Sequence, residues 1–148
     1  MHWTWSRLAS LSAPDLHEAL TLRARVFVVE QACAYQDPDR FDASSWHLLG
    51  RDARGTLVSG LRVVDPGTRY AEPSIGRVVT APEVRGTGLG RVLFAEGLGR
   101  CLATWPGRGV RLHAQAHLEA FYAGFGFVRS GETHLEDNIP HVEMWRSP

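Results

Sequence analysis

Lysine is missing from this chain of 148 residues; all 16 basic side chains are arginine. That absence removes pyridoxal-phosphate chemistry, which needs a lysine Schiff base, and the Walker A loop, whose lysine reaches the phosphates. Cysteine is scarce. Cys33 and Cys101 lie far apart and form no C-x-x-C pair, so by themselves they build no structural zinc site, and in a reducing compartment both are expected as free thiols, Cys101 in a core. Neither sign of charge is in excess, with 16 acidic residues against the 16 arginines, which argues against a nucleic-acid or membrane surface by bulk electrostatics. Long apolar runs are also lacking. Stretches such as Val26-Phe27-Val28-Val29 are far too short to span a bilayer. The opening MHWTWSRLAS has no basic start followed by an apolar block, so no secretory signal is read there, and a cytoplasmic protein is expected. The length favours one domain over residues 1–148, and a hydrophobic fraction of 44% fits a globular core and no fibrous or disordered class.

The periodicities divide the chain into alternating elements. His2 to Ser6 alternates polar and aromatic residues, as a strand does. Ser12-Ala-Pro-Asp then opens a helix, with Ser12 as cap, that runs to about Glu30 along the stripe Leu16, Leu20, Val26 and Phe27. Gln31 to Ser45 has no periodicity and reads as a long loop, a length that points to function. Its Asp37, Asp39 and Asp42 read first as turn residues of a solvated loop. They also suggest a rim for a cationic acceptor such as a polyamine, an aminoglycoside or a peptide N-terminus. Strands follow at Trp46–Arg51, Thr56–Val64 and Ser74–Thr80, and then a helix from Leu89 that Pro106-Gly107 stops. Val110–Gln115 is a strand, about His117–Phe125 a helix, and Phe127–Gly131 with His141–Trp145 a closing strand pair. Asn138 suits the left-handed position of a tight turn. The order gives an α/β domain with a mixed, largely antiparallel sheet.

One segment carries most of the functional signal: Ile75-Gly-Arg-Val-Val-Thr-Ala-Pro-Glu-Val-Arg-Gly-Thr-Gly-Leu-Gly90, in which a β-branched strand leads through a glycine loop into a long helix. Glycines at alternate positions leave amide N–H groups uncovered next to the positive end of a helix, which is an anion site suited to phosphates. Arg85 and Arg91 flank it. The Rossmann fingerprint fails, since the sixth position counted from Gly86 is Arg91, and Walker A fails because Gly90 is followed by arginine. The arrangement Arg85-x-x-Gly88-x-Gly90 resembles instead the R-x-x-G-x-G signature of the GNAT superfamily of N-acetyltransferases. The later Gln115-Ala-His-Leu-Glu-Ala-Phe-Tyr-Ala-Gly-Phe-Gly-Phe127 is similar to that family's tyrosine segment. Arg25-Val-Phe-Val-Val-Glu-Gln31, Cys33-x-Tyr35-Gln-Asp37, His47-Leu-Leu-Gly50 and Glu136-Asp-Asn-Ile-Pro-His141 resemble its ElaA-type branch.

The resemblance implies the GNAT fold, a mixed and mostly antiparallel central sheet with helices on both faces. It also implies acetyl-CoA as co-substrate and direct transfer of its acetyl group to an amine of a small molecule or peptide. On that implication the amides of Gly86, Thr87, Gly88, Leu89 and Gly90, with Arg85 and Arg91, take the pyrophosphate. The strand backbone of Val78, Val79 and Thr80 takes the pantetheine arm and stabilises the oxyanion. Gln115 stands where relatives often have an asparagine that contacts that arm. Tyr122 stands where the family carries its general acid; judged alone, it reads as one aromatic of a core cluster with Phe121, Phe125 and Phe127. The base candidates are Glu30, ranked first, His113 and His141. Many relatives place a carboxylate on the strand before the glycine loop, where this chain has Arg77. His113 and His117 straddle a strand-to-helix junction without an obvious third ligand, so no metal is expected. Two other functions stay open: an acyl-homoserine-lactone-synthase-like acyltransferase, and a coenzyme-A-binding sensor without turnover. Dimers are common in the superfamily, which makes a homodimer the assembly to test.

Overall fold

A computed structural model describes residues 1–148. Eight strands form one sheet: β1 (His2–Arg7), β2 (Trp46–Arg51), β3 (Leu57–Val64), β4 (Ser74–Thr80), β5 (Val110–Gln115), β6 (Val128–Arg129), β7 (His134–Glu136) and β8 (Ile139–Arg146). Their order is β1-β2-β3-β4-β5-β8-β6, with β7 also paired to β8. Every pairing is antiparallel except β4 with β5.

Alternation along β3 explains why helices cover both faces. Leu61 and Val63 point to the side where α2 (Leu89–Thr104) and α3 (Glu119–Ala123) lie, joining Leu93, Phe94, Leu98 and Tyr122 in the larger core. Val58 points the other way and packs with Val79, Ala81 and the helix-borne Leu22 and Val26. A strand with apolar side chains on both faces belongs in the middle of a sheet, and all of β3 but Leu57 is buried.

Helix α1 (Ala13–Arg23) starts as the sequence indicates, with Ser12 Oγ accepting from the Asp15 N–H at 3.1 Å and Pro14 in the first turn. It does not continue as an α-helix to Glu30. Residues Ala24–Glu30 widen into a π-helical stretch. The wider turn shifts the apolar stripe, so that Val26 is buried while Val29 is exposed; Arg23, the last residue of α1, is buried as well. The helix expected over His117–Phe125 shrinks to a 3-10 turn, Ala116–Leu118, and α3, which stops before Gly126 with φ 90°. Strand β7 was not legible in the sequence. It pairs with β8 across Asp137 and Asn138, whose φ values of 50° and 64° make the primed turn that hairpins favour. No helix is long and apolar enough to cross a membrane.

Candidate active site

Strands β4 and β5 are parallel neighbours for only two residues, Ser74 beside Arg111 and Ile75 beside Leu112. Beyond Ile75 they separate, and the cause lies within β4. Gly60 faces Val79 and Arg62 faces Gly76, so Leu61 alone opposes both Arg77 and Val78. This is a β-bulge, and Arg77 holds it with a φ of 51°, a left-handed conformation rare for a non-glycine residue. The bulge bends β4 away from β5 and leaves the edge from Gly76 to Thr80 without a strand partner. A cleft of ≈ 920 Å³ opens there, lined by Val78, Val79 and Thr80 on one wall and Gln115 and Tyr122 on the other.

The glycine loop closes one end of this cleft. Gly86 and Gly88 take φ values of 79° and 85°, so the loop needs glycine at both. The backbone N–H groups from Gly86 to Arg91 have no main-chain acceptor, and Gly88 caps α2 without a side-chain bond. Unsatisfied amides at the start of a 16-residue helix are donors that suit an anion. Thr87 stabilises the loop by donating to the Val84 carbonyl at 2.6 Å. Arg91 lies over the faces of Phe121 and Phe125, 5.8 Å from each ring centre, with no carboxylate partner. Arg85 lines the cleft, but its fork is closed on Glu30 at 2.8 and 2.7 Å.

Glu30 is thus engaged by an arginine that lines the cleft. It is absent from the cleft walls, and its hydrogen bonds from Arg85 hold the carboxyl below the usual glutamate range. Tyr122 belongs both to the core and to the cleft wall. It is buried edge-on against Phe94 and Phe121, with ring centres 5.0 Å away in both cases, and it also lines the cleft. Its hydroxyl makes no hydrogen bond within the protein, and burial pushes its pKa up to about 12, so at neutral pH it keeps its proton. The core-aromatic and the cleft-lining descriptions of Tyr122 both hold. Gln115 Nε2 donates to Gln31 Oε1 at 3.2 Å across the cleft mouth.

The aspartates of the long loop do serve turns, with Asp39 Oδ1 accepting from the Phe41 N–H and Asp42 Oδ2 from the Asp39 N–H, both at 3.0 Å, but they are paired with arginines and form no open acidic rim. Asp37 receives Arg23 and Arg77, each at 2.8 Å. Asp42 receives Arg23 at 2.8 and 3.0 Å and Arg62 at 2.9 Å, and Asp39 takes both Arg62 and Arg77. Arg23 and Asp37 are buried and Arg62 is only 1% exposed, so three arginines and three aspartates neutralise one another inside the protein. Burial works to raise the Asp42 pKa. The hydrogen bonds from Arg23 and the neighbouring positive charges outweigh it and leave the carboxyl well below its usual range. The sequence held a signal for this network. Arg62 interrupts the apolar run of β3 and Arg23 falls on the buried side of α1, so each needed a carboxylate.

Four groups gather on the β7–β8 side. His113 Nε2 faces His134 Nε2 at 2.8 Å, while His113 Nδ1 lies 3.1 Å from Glu136. The two imidazole planes differ by 12° with centres 4.8 Å apart. Nitrogens as close as 2.8 Å in near-parallel rings place those rings edge to edge, sharing one N–H···N bond. His113, His134 and Glu136 could gather round a cation, but 2.8 Å is shorter than the roughly 3.3 Å between ligand atoms of a tetrahedral zinc site, so the arrangement is a hydrogen-bonded one. His117, the metal partner weighed from the sequence, is exposed and outside this group. His141 stacks on His113 at 4.9 Å. Its Nδ1 lies 2.7 Å from the Ile139 carbonyl, which can only accept, so Nδ1 carries the proton and Nε2 is the basic nitrogen.

Comparison with known proteins agrees with this geometry. A family model described as an acetyltransferase (GNAT) domain matches residues 16–147. The chain is 38% identical to protein ElaA of Escherichia coli over 99% of its own length and 96% of the relative's. It is 44% identical to a UPF0039 protein of Synechocystis over 97% of this chain and 94% of that one. Among solved structures, an acyl-CoA N-acyltransferase from Pseudomonas aeruginosa superposes with a TM-score of 0.93 at 41% identity, covering 99% of both chains.

Proposed function

Because this chain belongs to the GNAT acetyltransferase family, we propose that it transfers an acetyl group from acetyl-CoA directly to an amine, with both bound in the cleft between β4 and β5. The observation that carries this reading is the unpaired edge of β4, which runs from the amide nest of α2 into a cleft faced by Tyr122. The pyrophosphate takes the N–H groups of Gly86 to Arg91, and Arg85 leaves Glu30 for it, since an exposed ion pair is weakly held. The pantetheine arm adds to the free edge at Val78–Thr80 as an extra strand. A backbone N–H of that edge meets the thioester oxygen as it becomes an oxyanion.

The acceptor ammonium first loses a proton. His141 is the base on this reading, because its side chain lines the cleft and its Nε2 is the nitrogen not held by the Ile139 carbonyl, whereas Glu30 is absent from the cleft walls. The amine nitrogen then attacks the carbonyl carbon. Collapse of the tetrahedral intermediate breaks the C–S bond, the Tyr122 hydroxyl gives its proton to the departing thiolate, and the second proton leaving the acylated nitrogen passes through water to restore Tyr122. With no protein partner for that hydroxyl, its hydrogen bond is available to sulfur. A cytoplasmic setting and a homodimer belong to the same proposal, on the family resemblance.

Titration calorimetry with acetyl-CoA and a thiol-release assay over an amine panel test the reading together. Tyr122→Phe should bind acetyl-CoA as tightly as wild type and turn over about 10²–10⁴ times more slowly. Equal turnover would remove Tyr122 from the mechanism. Binding without release on any amine would favour a sensor module, and no binding heat would overturn the whole reading.

A further inference from the structure

The acceptor end of the cleft is charged in a way that its acidic loop conceals. Five arginines line the cleft, namely Arg40, Arg62, Arg69, Arg77 and Arg85. The buried aspartates occupy Arg62 and Arg77, and Glu30 occupies Arg85. Arg69 and Arg40 are different, for neither donates a hydrogen bond to the protein and neither has a carboxylate within ion-pair distance. Arg69 is half-buried, which makes an unanswered guanidinium costly unless something else completes it. Its guanidinium carbon lies over aromatic rings, 5.3 Å from the centre of Tyr70 and 5.7 Å from that of Phe41, and that of Arg40 lies 4.7 Å from the centre of Phe41. A guanidinium held against rings and making no polar contact within the protein keeps its N–H groups open for a ligand.

The opposite rim carries the other sign. Glu136 and Asp137 line the cleft beside His113 and His141. Both ends line one continuous cleft, so a single ligand can meet the two. A polyamine would place a second cation against Arg69 and Arg40. A molecule with an amine at one end and an anion at the other satisfies both.

Resting on the reading of this cleft as the acceptor site of an acetyltransferase, we propose that the acceptor is an amine that also carries a carboxylate, which the Arg69 fork receives with Arg40 beside it. Free amino acids and peptides ending in a carboxylate share that chemistry.

The test measures thiol release from acetyl-CoA with four probe sets: the free amino acids, their methyl esters, dipeptides with free carboxylates, and spermidine. Wild type, Arg69→Met and Arg69→Lys are compared. The expected result is preference for free acids over the matching esters by about ten- to a hundred-fold in kcat/KM, the range of one charge-assisted hydrogen-bonded pair. Arg69→Met should erase that preference through KM, with kcat and acetyl-CoA affinity kept. Arg69→Lys, with its charge but without the fork, should recover only part of it. The ratio between amino acids and dipeptides separates the two sources. Esters or spermidine turned over as well as the acids, or a preference unchanged in Arg69→Met, would overturn the proposal. Acetyl-CoA binding with release on none of the probes would overturn it too, while leaving the coenzyme site standing. Absence of acetyl-CoA binding would overturn both.

Discussion

Helix α2 contains three glycines whose replacement by alanine should have three different outcomes. A methyl group added at Gly90 or Gly99 meets no atom within 4 Å, whereas one added at Gly97 falls 2.5 Å from Leu61 Cδ2. Gly90 is outside the left-handed region, so neither backbone strain nor packing explains the missing side chain. Alanine in place of an unstrained helical glycine stabilises by about 0.5–1 kcal/mol. For a chain of this size that raises Tm by about 1–4 °C. Gly90→Ala and Gly99→Ala should both show that rise. Gly97→Ala should instead lower Tm, because forcing a methyl against the buried Leu61 costs about 1–3 kcal/mol and exceeds the helical gain. Acetyl-CoA affinity separates the first two. The Gly90 amide lies in the nest, and a methyl beside it holds a phosphate oxygen off. Loss of one charge-assisted bond, about 1.5–3 kcal/mol, weakens Kd about ten- to a hundred-fold. Gly99→Ala should bind as wild type. Thermal melts and calorimetry on the three variants decide the matter, and a Gly90→Ala protein of unaltered affinity would refute the claim that these amides grip the coenzyme.

Two further outcomes follow from buried groups. Asp42→Asn strands Arg23 and Arg62 with a weakened partner and should cost about 3–5 kcal/mol in urea denaturation, the range for breaking a buried ion pair. The folded-state pKa of Asp42 and of Asp39 is depressed, so the stability they contribute is complete above the ordinary carboxylate value near 4 and is lost as pH falls below it; this acid limb should be shallower in Asp42→Asn. A thiol reagent such as DTNB should modify Cys33 alone in the folded protein, with acetyl-CoA slowing it, because Cys33 lines the cleft while Cys101 is fully buried with its pKa pushed up to about 12. Modification of both thiols without denaturant would contradict this.

Much of the scaffold was legible because it depends on local rules. Strands β2, β4 and β5 lie beside turn residues, Asp52 to Gly55, Pro82 and Pro106-Gly107, that mark their limits, and the cap at Ser12 and the primed turn at Asn138 follow from side-chain chemistry within a few residues. The glycine loop and Tyr122 could be read for the same reason, as compact motifs. What could not be read depends on contacts distant in sequence. The π-helical stretch after Arg23 exists where that arginine must reach Asp37 and Asp42. Strand β7 is three exposed residues with no apolar alternation to mark them. Glu30 was sensibly placed near the loop, but nothing local says that its partner is Arg85, 55 positions away. The emptiness of Arg69 is visible only after every other arginine around the cleft has been given its carboxylate.

Arg77 has a consequence for how this protein can change. Its backbone forms the kink that parts β4 from β5, and its side chain clasps Asp37 and Asp39 in the long loop. One residue thus fastens the free edge of β4 to the long loop across the cleft, so neither can drift without the other. New acceptor preferences are free to arise only from the parts outside that clasp, the hairpin bearing Glu136 and the shelf bearing Arg69, while the donor slot stays as it is.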